Sequence, residues 1–457
     1  MVTREEEMQE ILDQVLSKIT PGDEERVAME RIASRLLERI NGFSDEHGVC
    51  GMLVGSAARD TWVSGEHDID LFILFPESTE RERLEIVGLL IAGSVLSDAE
   101  RIEERYAEHP YLHGVVNGYG VDVVPCFNIR DPSKIKSAVD RTPHHNSFVR
   151  EEISGLEGDV RLTKQFLKRA GIYGSELKIH GFSGYLAELL IIHFRSFMNL
   201  VRDAVDWKPG EVIDIKGHGA RAHENPLVVV DPTDPGRNVA AALSLDNMCR
   251  FIDSARNFLE DPKIEFFFKA HQTPPELGEI RELLHKRGSV LIGVQFQKPD
   301  VVDDILYPQL EKMERSTKKL FKMHDFRIIN TGSIVSKKNI YIIFELFDRE
   351  LPSVKKHIGP PVWARADAER FKAKYHEKKT LSQIYIKNGR YVIEIERRYR
   401  TPGPLLREEL SKCGLGKDLR DAIREQKFQI LSKEELLTKS DHEVRIFIHQ
   451  LLTHNDP

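Results

Sequence analysis

Two aspartates one residue apart, Asp68 and Asp70, open an apolar run that continues Leu71-Phe72-Ile73-Leu74-Phe75. On a strand, residues i and i+2 share a face, so both carboxylates project together. Two carboxylates at a buried edge repel each other and are costly to ionise. A divalent cation removes that cost, and Mg²⁺ selects hard oxygen ligands. The spacing suits two metals ~3.5–4 Å apart, as in two-metal phosphoryl transfer. A solvated loop with both aspartates in water is the alternative, and the apolar residues that follow weigh against it. Asp122, isolated in Val121-Asp122-Val123-Val124-Pro125, is the third acidic candidate. An aspartate among valines is unfavourable unless it is paired or bound to metal. On a neighbouring strand it would lie beside the first two, as metal ligand and as general base for an attacking hydroxyl. Taken singly, such a residue is more often a strand end or an ion-pair partner.

Gly55-Ser56 follows the apolar run Met52-Leu53-Val54 and turns the chain into a short helix starting near Ala57. Unpaired N–H groups at a helix start suit phosphate. Ser56 adds a hydroxyl donor, and Arg59, one turn on, reaches the same oxygens. Ser is also a favoured helix cap, and alone Ser56 reads first as that. The conjunction of Gly-Ser, Asp-x-Asp and a distant strand aspartate is more specific than any part of it.

The surrounding elements follow from periodicity. Residues 3–45 read as two helices broken at Thr20-Pro21-Gly22-Asp23. Strands are expected at Met52–Val54, Ile69–Phe75 and Val121–Val124, the last two stopped by Pro76 and Pro125, with a helix around 79–104. Residues 151–260 read as mainly helical (Val160–Ala170, Gly184–Val201, Ala240–Leu259), with polar loops at His218–Asn225 and Asp231–Gly236. Beyond 261, strands (Val290–Phe296, Tyr341–Phe347, Tyr391–Glu396) mix with helices (Tyr307–Lys322, Ala366–Lys378). The fold class expected is α+β and multidomain: a head over 1–150, a helical neck over 151–260 and an α+β body and tail over 261–457.

Composition bounds the function. The chain has 457 residues, 40% hydrophobic and 30% charged, enough to build real cores. Its net charge of −7 gives no global basicity for nucleic acid. Locally, residues 351–400 hold thirteen Lys and Arg against five Asp and Glu. Such a block is either a footprint for phosphates or a solvated lysine-rich face. The candidates within it are Lys372, Lys374, Lys378, Lys379, Arg397, Arg398 and Arg400. The start of the chain is acidic and unlike a secretory signal. No run approaches 18 apolar residues. The four scattered cysteines form no CxxC pair, which fits a reducing, cytoplasmic setting. His109 and His113 have i, i+4 spacing, but Pro110 lies between them. His109 reads as a nucleotide-pocket residue.

The whole pattern resembles the nucleotidyltransferase superfamily of DNA polymerase beta. The stretches GSAARDTW, RYAEHPYLHG, VDVVPC, IKSAVDRTPHH, GIYGSELKIHGFSGYLAELL, VVDPTDPGRNVA and KPDVVDDILYPQLE narrow it to the class I, archaeal-type CCA-adding enzymes, over about residues 5–320 strongly and the last third weakly. The resemblance implies a polymerase-beta-like head and restoration of the tRNA 3′-terminal CCA from CTP and ATP without a template. It implies Mg²⁺ on Asp68, Asp70 and Asp122. Relatives often carry Glu at the first of these, and either carboxylate binds Mg²⁺. It places Ser56, Arg59, His145, Lys164 and Tyr173 on the nucleotide triphosphate, with His145 chosen over His144, and Arg237 on the base edge. It also implies a homodimer. From the residues alone, Lys164 and Lys168 read as an i, i+4 pair on a solvated face, and Tyr173 and Arg237 as turn residues. The rivals are a poly(A) polymerase or oligoadenylate synthetase with the same head, or a silent RNA-binding protein, against which three intact acidic positions argue.

Overall fold

A computed structural model describes residues 4–219, 224–268, 275–424, 428–438 and 441–454. The chain divides into two compact units at Gln272/Thr273. No described helix is long and apolar enough to cross a membrane.

In the first unit, α1 (Arg4–Ile19) and α2 (Asp23–Asn41) break at the expected Pro-Gly. A single turn, α3 (Ser44–His47), leads to β1 (Cys50–Val54), α4 (Gly55–Arg59), β2 (Asp68–Pro76) and α5 (Arg81–Val95). The helix expected to run to 104 stops at Val95. A hairpin follows instead, β3 (Arg101–Tyr106) with β4 (Pro110–Val116). β3 is an edge strand, exposed or half-buried throughout, and its Arg101, Glu103, Glu104 and Arg105 are as compatible with helix as with strand. Only pairing to β4 decides it. β5 (Tyr119–Asn128) completes a sheet ordered β1-β2-β5-β4-β3. Pro125 does not stop β5. It lies inside the strand opposite Ile73, beyond Val123, where pairing with β4 ends, so its missing N–H breaks no ladder on that side. β2 and β5 are parallel and in register, with Asp70 opposite Asp122. The α2 and α5 faces close over Ile69, Leu71, Ile73, Val121 and Val123.

The helical part follows: α6 (Thr142–Glu152), α7 (Glu157–Arg169), α8 (Gly184–Phe194), α9 (Phe197–Ala204) and α10 (Leu245–Glu260), with a two-stranded ladder of β6 (Glu211–Ile213) and β7 (Leu227–Val229). The single helix expected over 184–201 is two. Arg195 adopts a left-handed φ of 64°, and Ser196 caps the second helix by accepting from the Asn199 N–H. Phe166, Phe197, Phe251, Phe258 and Phe267 fill this core.

In the second unit, α11 (Leu277–Arg287), β8 (Val290–Gln297), α12 (Asp303–Met323), β9 (Ile328–Val335) and β10 (Asn339–Leu346) lead to β11 (Val354–Pro361), α13 (Arg365–His376), β12 (Tyr385–Lys387) and β13 (Arg390–Glu396). Short helices flank a last strand, β14 (Phe428–Ser432), and the two sheets run β14-β8-β10-β9 and β11-β13-β12. Alternate residues of β10 feed opposite cores, Ile340, Ile342 and Phe344 on one face and Tyr341 and Ile343 on the other. Lys372, Lys374, Lys378 and Lys379 are exposed. Arg397, one of the basic candidates, is half-buried. Its side chain is 11% exposed and donates to Asp325 and to the Pro352 and His324 carbonyls.

One carboxylate sets how the chain reaches Asp68. Glu25 on α2 accepts from the Gly22 and Gly65 N–H groups and the Ser64 hydroxyl, and meets His67 Nε2 at 3.2 Å. Burial alone would raise its pKa, but these partners outweigh it and hold the carboxyl at about 2. The stabilisation is fully present above the ordinary carboxylate value and lost as pH falls toward 2. Glu25→Ala is expected to cost roughly 2 kcal/mol near neutral pH. Urea melts should show that cost shrinking steadily below pH 4; a cost independent of pH would contradict this account.

Candidate active site

A cavity of about 530 Å³ opens at one end of the first sheet, lined by Ser56, Glu66, Asp68, Ile69, Asp70, Arg105, His113, Gly120, Asp122, Lys168 and Tyr173. Five of the sequence candidates meet there: Ser56, Asp68, Asp70, Asp122 and Tyr173. The strand register explains it, since Asp70 has Val54 at the end of β1 on one side and Asp122 on the other. Gly55 makes room. A Cβ there would lie 2.0 Å from Asp70 Oδ2, and its φ of +72° already excludes most side chains. The expectation of two carboxylates at a buried edge holds for Asp70, which is half-buried; Asp68, the first strand residue, is exposed. Burial, then Asp122 and Asp68, push the Asp70 carboxyl up to about 7, against the pull of Arg59 and Lys164. Asp122 Oδ1 lies 2.6 Å from His113 Nδ1, its neighbour on β4, and 3.9 Å from Arg105.

Hard carboxylate oxygens crowded around Asp70, whose pKa Asp122 and Asp68 help raise, are a donor set that a divalent cation suits. Among the described residues no three acidic, His or Cys side chains are already arranged around one point. Asp122 is instead held toward His113. The donor chemistry fits a cation, with Oδ1 of Asp122 engaged by His113.

Arg59 and Lys164 do not line the cavity. They lie behind Asp70 in a buried network centred on Glu188, whose side chain has no exposed surface. Glu188 accepts from Arg59 (3.0 and 3.1 Å) and from Thr61 Oγ1 (2.6 Å). Arg59 also donates to Asn146 Oδ1, and Lys164 donates to the Thr61 carbonyl. Burial pushes Lys164 down to about 8 against the pull of Glu188, while Arg59 and Lys164 overcome burial to hold Glu188 below its usual value. Burial also pushes Lys168 down to about 8 and raises Tyr173.

His145 and Arg237 form a third group around buried Asp231. Asp231 Oδ2 meets His145 Nε2 at 2.9 Å and accepts from Arg237 at 2.8 Å, and Oδ1 accepts from Thr233 and Tyr185. His145 stacks on Tyr185 with ring centroids 4.1 Å apart. Burial would raise Asp231, yet these partners hold it well below the ordinary range, while burial lowers His145. His109 is buried and does not line the cavity.

Glu188, Asp231, His113, Arg105, Glu66 and Lys168 are additions to the sequence-based set. Glu188 carried a signal, a lone carboxylate in the apolar run Leu186–Ile192. His113 and Lys168 stood out only by i, i+4 spacing to His109 and Lys164, and the rest only by charge.

A mixed sheet with paired acidic strands, fed by a Gly-Ser turn, defines the first unit as a nucleotidyltransferase, a class that works with a divalent metal. Family models agree: residues 43–145 match the nucleotidyltransferase domain, 158–268 the second domain of tRNA nucleotidyltransferase and 287–433 the C-terminal domain of the CCA-adding enzyme. The chain is 48% identical over 439 residues to the CCA-adding enzyme of Methanosarcina barkeri, covering 95% of this chain and 96% of that one. It is 42% identical over 432 residues to that of Archaeoglobus fulgidus (94% and 96%). For Methanothermobacter thermautotrophicus the identity is 40% over 452 residues (96% and 97%). The chain belongs to the CCA-adding enzyme family.

Gly55→Ala tests the packing of Asp70. Strain at the positive φ should cost about 1–3 kcal/mol of stability. Displacement of the carboxylate should reduce nucleotide addition by on the order of a hundred-fold, since small misplacements at a reacting centre are that costly. Rates measured on variant that is still folded by circular dichroism check this; near-normal addition would mean Asp70 tolerates displacement.

Proposed function

We propose that this chain adds C, C and A to the 3′ end of tRNA from CTP and ATP, without a nucleic-acid template. The reading rests on Asp68, Asp70 and Asp122 meeting Ser56 at one cavity in a chain related end to end to CCA-adding enzymes. In the reaction, the tRNA 3′-oxygen forms a bond to the α-phosphorus and the bond to pyrophosphate breaks. Asp68, Asp70 and Asp122 would hold Mg²⁺, which supplies charge neutralisation and a more acidic 3′-hydroxyl. Ser56 donates to a phosphate oxygen. Asp122, in contact with His113, is placed to accept the hydroxyl proton. Arg59 and Lys164 offset the charge of Asp70 from behind. Tyr173 offers its ring or hydroxyl at the cavity wall. Alignment and charge neutralisation are what phosphoryl transfer asks of a protein.

Arg237 has only donors, so it can address a ring nitrogen or the cytosine carbonyl, and an acceptor elsewhere must take the exocyclic amine. Asp231 fixes its guanidinium and His145 together, so base reading and triphosphate contact share one carboxylate. Residues 1–150 serve as catalytic head, 151–260 as nucleotide-selecting neck and 261–457 as tRNA-holding body and tail. The exposed lysines of α13 and the loop after it contact tRNA phosphates, since A-form RNA is read mainly by shape and backbone. The working form is a cytoplasmic homodimer.

The decisive experiment incubates the protein with tRNA lacking CCA, Mg²⁺ and each labelled nucleotide. Addition of C, C and A and then arrest supports the reading. An A tail of open length would favour a poly(A) polymerase, and binding without addition a silent RNA-binding protein. Asp70→Asn and Asp122→Asn should each abolish addition, because an amide is a far poorer Mg²⁺ ligand than a carboxylate, while tRNA affinity stays intact. Neutralising Lys372, Lys374, Lys378 and Lys379 together should flatten the salt dependence of tRNA binding and leave CTP binding unchanged. An unchanged salt slope would make that cluster a solvated face.

A further inference from the structure

We propose that Lys168 grips the incoming nucleotide and is held in reserve by Glu66, a triphosphate taking the ammonium over from that carboxylate. The inference rests on this cavity being the nucleoside triphosphate site. Four carboxylates line it, from Glu66, Asp68, Asp70 and Asp122. The cations that the sequence assigns to phosphate, Arg59 and Lys164, lie outside the lining and are engaged by Glu188, Asn146 and Thr61. Lys168, one turn beyond Lys164 on α7, does line the cavity. Arg105, the other lining cation, already faces Glu103 and Asp122 at 3.4 and 3.9 Å.

Lys168 is ion-paired with Glu66, in the loop before Asp68, and its Nζ lies 4.8 Å from the centre of the Tyr173 ring. The Glu66 side chain is 38% exposed. The Lys168 side chain is 24% exposed, so only the carboxylate side of the pair is open. With its carboxylate in water, such a pair contributes on the order of 1 kcal/mol, and Glu66 is a weak competitor. A triphosphate offers several negative charges and strong acceptors in the same space. The ring of Tyr173 keeps a favourable surface under the ammonium once Glu66 lets go. The same contact gives Tyr173 a function at the cavity that needs neither its proton nor stacking on a base.

The two partners of this pair should therefore act in opposite directions. The full-length protein is titrated with CTP and with ATP in Mg²⁺ without tRNA, by calorimetry. Lys168→Met should weaken both nucleotides about ten-fold or more, the loss of one charge-assisted contact. Lys168→Arg should recover most of that affinity. Glu66→Gln, which frees the lysine, should tighten both by about two- to five-fold. Melting without nucleotide should leave all three variants close to wild type. If Lys168→Met and Glu66→Gln weaken binding alike, or lower the melting temperature with affinities unmoved, the pair is a structural bridge and the proposal falls. If the wild-type protein binds neither nucleotide, the reading of the cavity itself fails, and this inference with it.

Discussion

Asp70 sits where three negative charges have to coexist. The parallel register of β2 and β5 forces it against Asp122, and the i+2 spacing adds Asp68. Left alone, such a cluster would protonate, as the upward shift of Asp70 indicates. Much of the first unit can be understood as the arrangement that lets this cluster persist. Gly55 gives the carboxylate room, Glu25 ties down the loop that delivers Asp68, and Arg59 and Lys164 place positive charge behind the site. Those two cations need their own anion, and Glu188 supplies it from the middle of an apolar helix. A carboxylate with no exposed surface is tolerable here because Arg59 and Thr61 donate to it and Lys164 lies close by.

The same economy of charge recurs around Asp231. One buried carboxylate gathers His145, Arg237, Tyr185 and Thr233, and its low pKa follows from their number rather than from exposure. In both networks the acidic centre is sealed; Arg59, Thr61 and Lys164 are buried with Glu188, while Arg237 beside Asp231 stays partly exposed. The protein thus fixes donors in position before a ligand arrives, which lowers the ordering cost of binding.

What was legible in the sequence was whatever periodicity and lone charges reveal. The apolar runs after Asp70 and around Asp122 gave the strands, and the isolation of those aspartates among apolar residues gave the site. β3 was not legible, because an edge strand made of Arg and Glu has no period to read. The break at Arg195 was hidden in an unbroken apolar pattern, its cause a left-handed residue rather than Gly or Pro. Lys164 and Lys168 looked alike on a helix face. Only the tertiary structure separates them, burying one under Thr61 and leaving the other on the cavity wall. The engagement of Arg397 was hidden for the complementary reason, since composition cannot tell a free arginine from one that ties strands to a neighbouring loop.

The parallel pairing of β2 with β5 has a consequence for how the chain is made. Parallel neighbours cannot be joined by a tight turn, and here a helix and a hairpin lie between them. Closing that gap costs chain entropy before any contact repays it, so such pairings are intrinsically slow to form. A slip of one residue would point Asp122 to the opposite face of the sheet. The chemistry is therefore absent from any chain in which these two strands are not zipped in the correct alignment. A misaligned chain holds no half-built centre able to modify RNA out of turn, and activity reports that this one strand pair has closed in register.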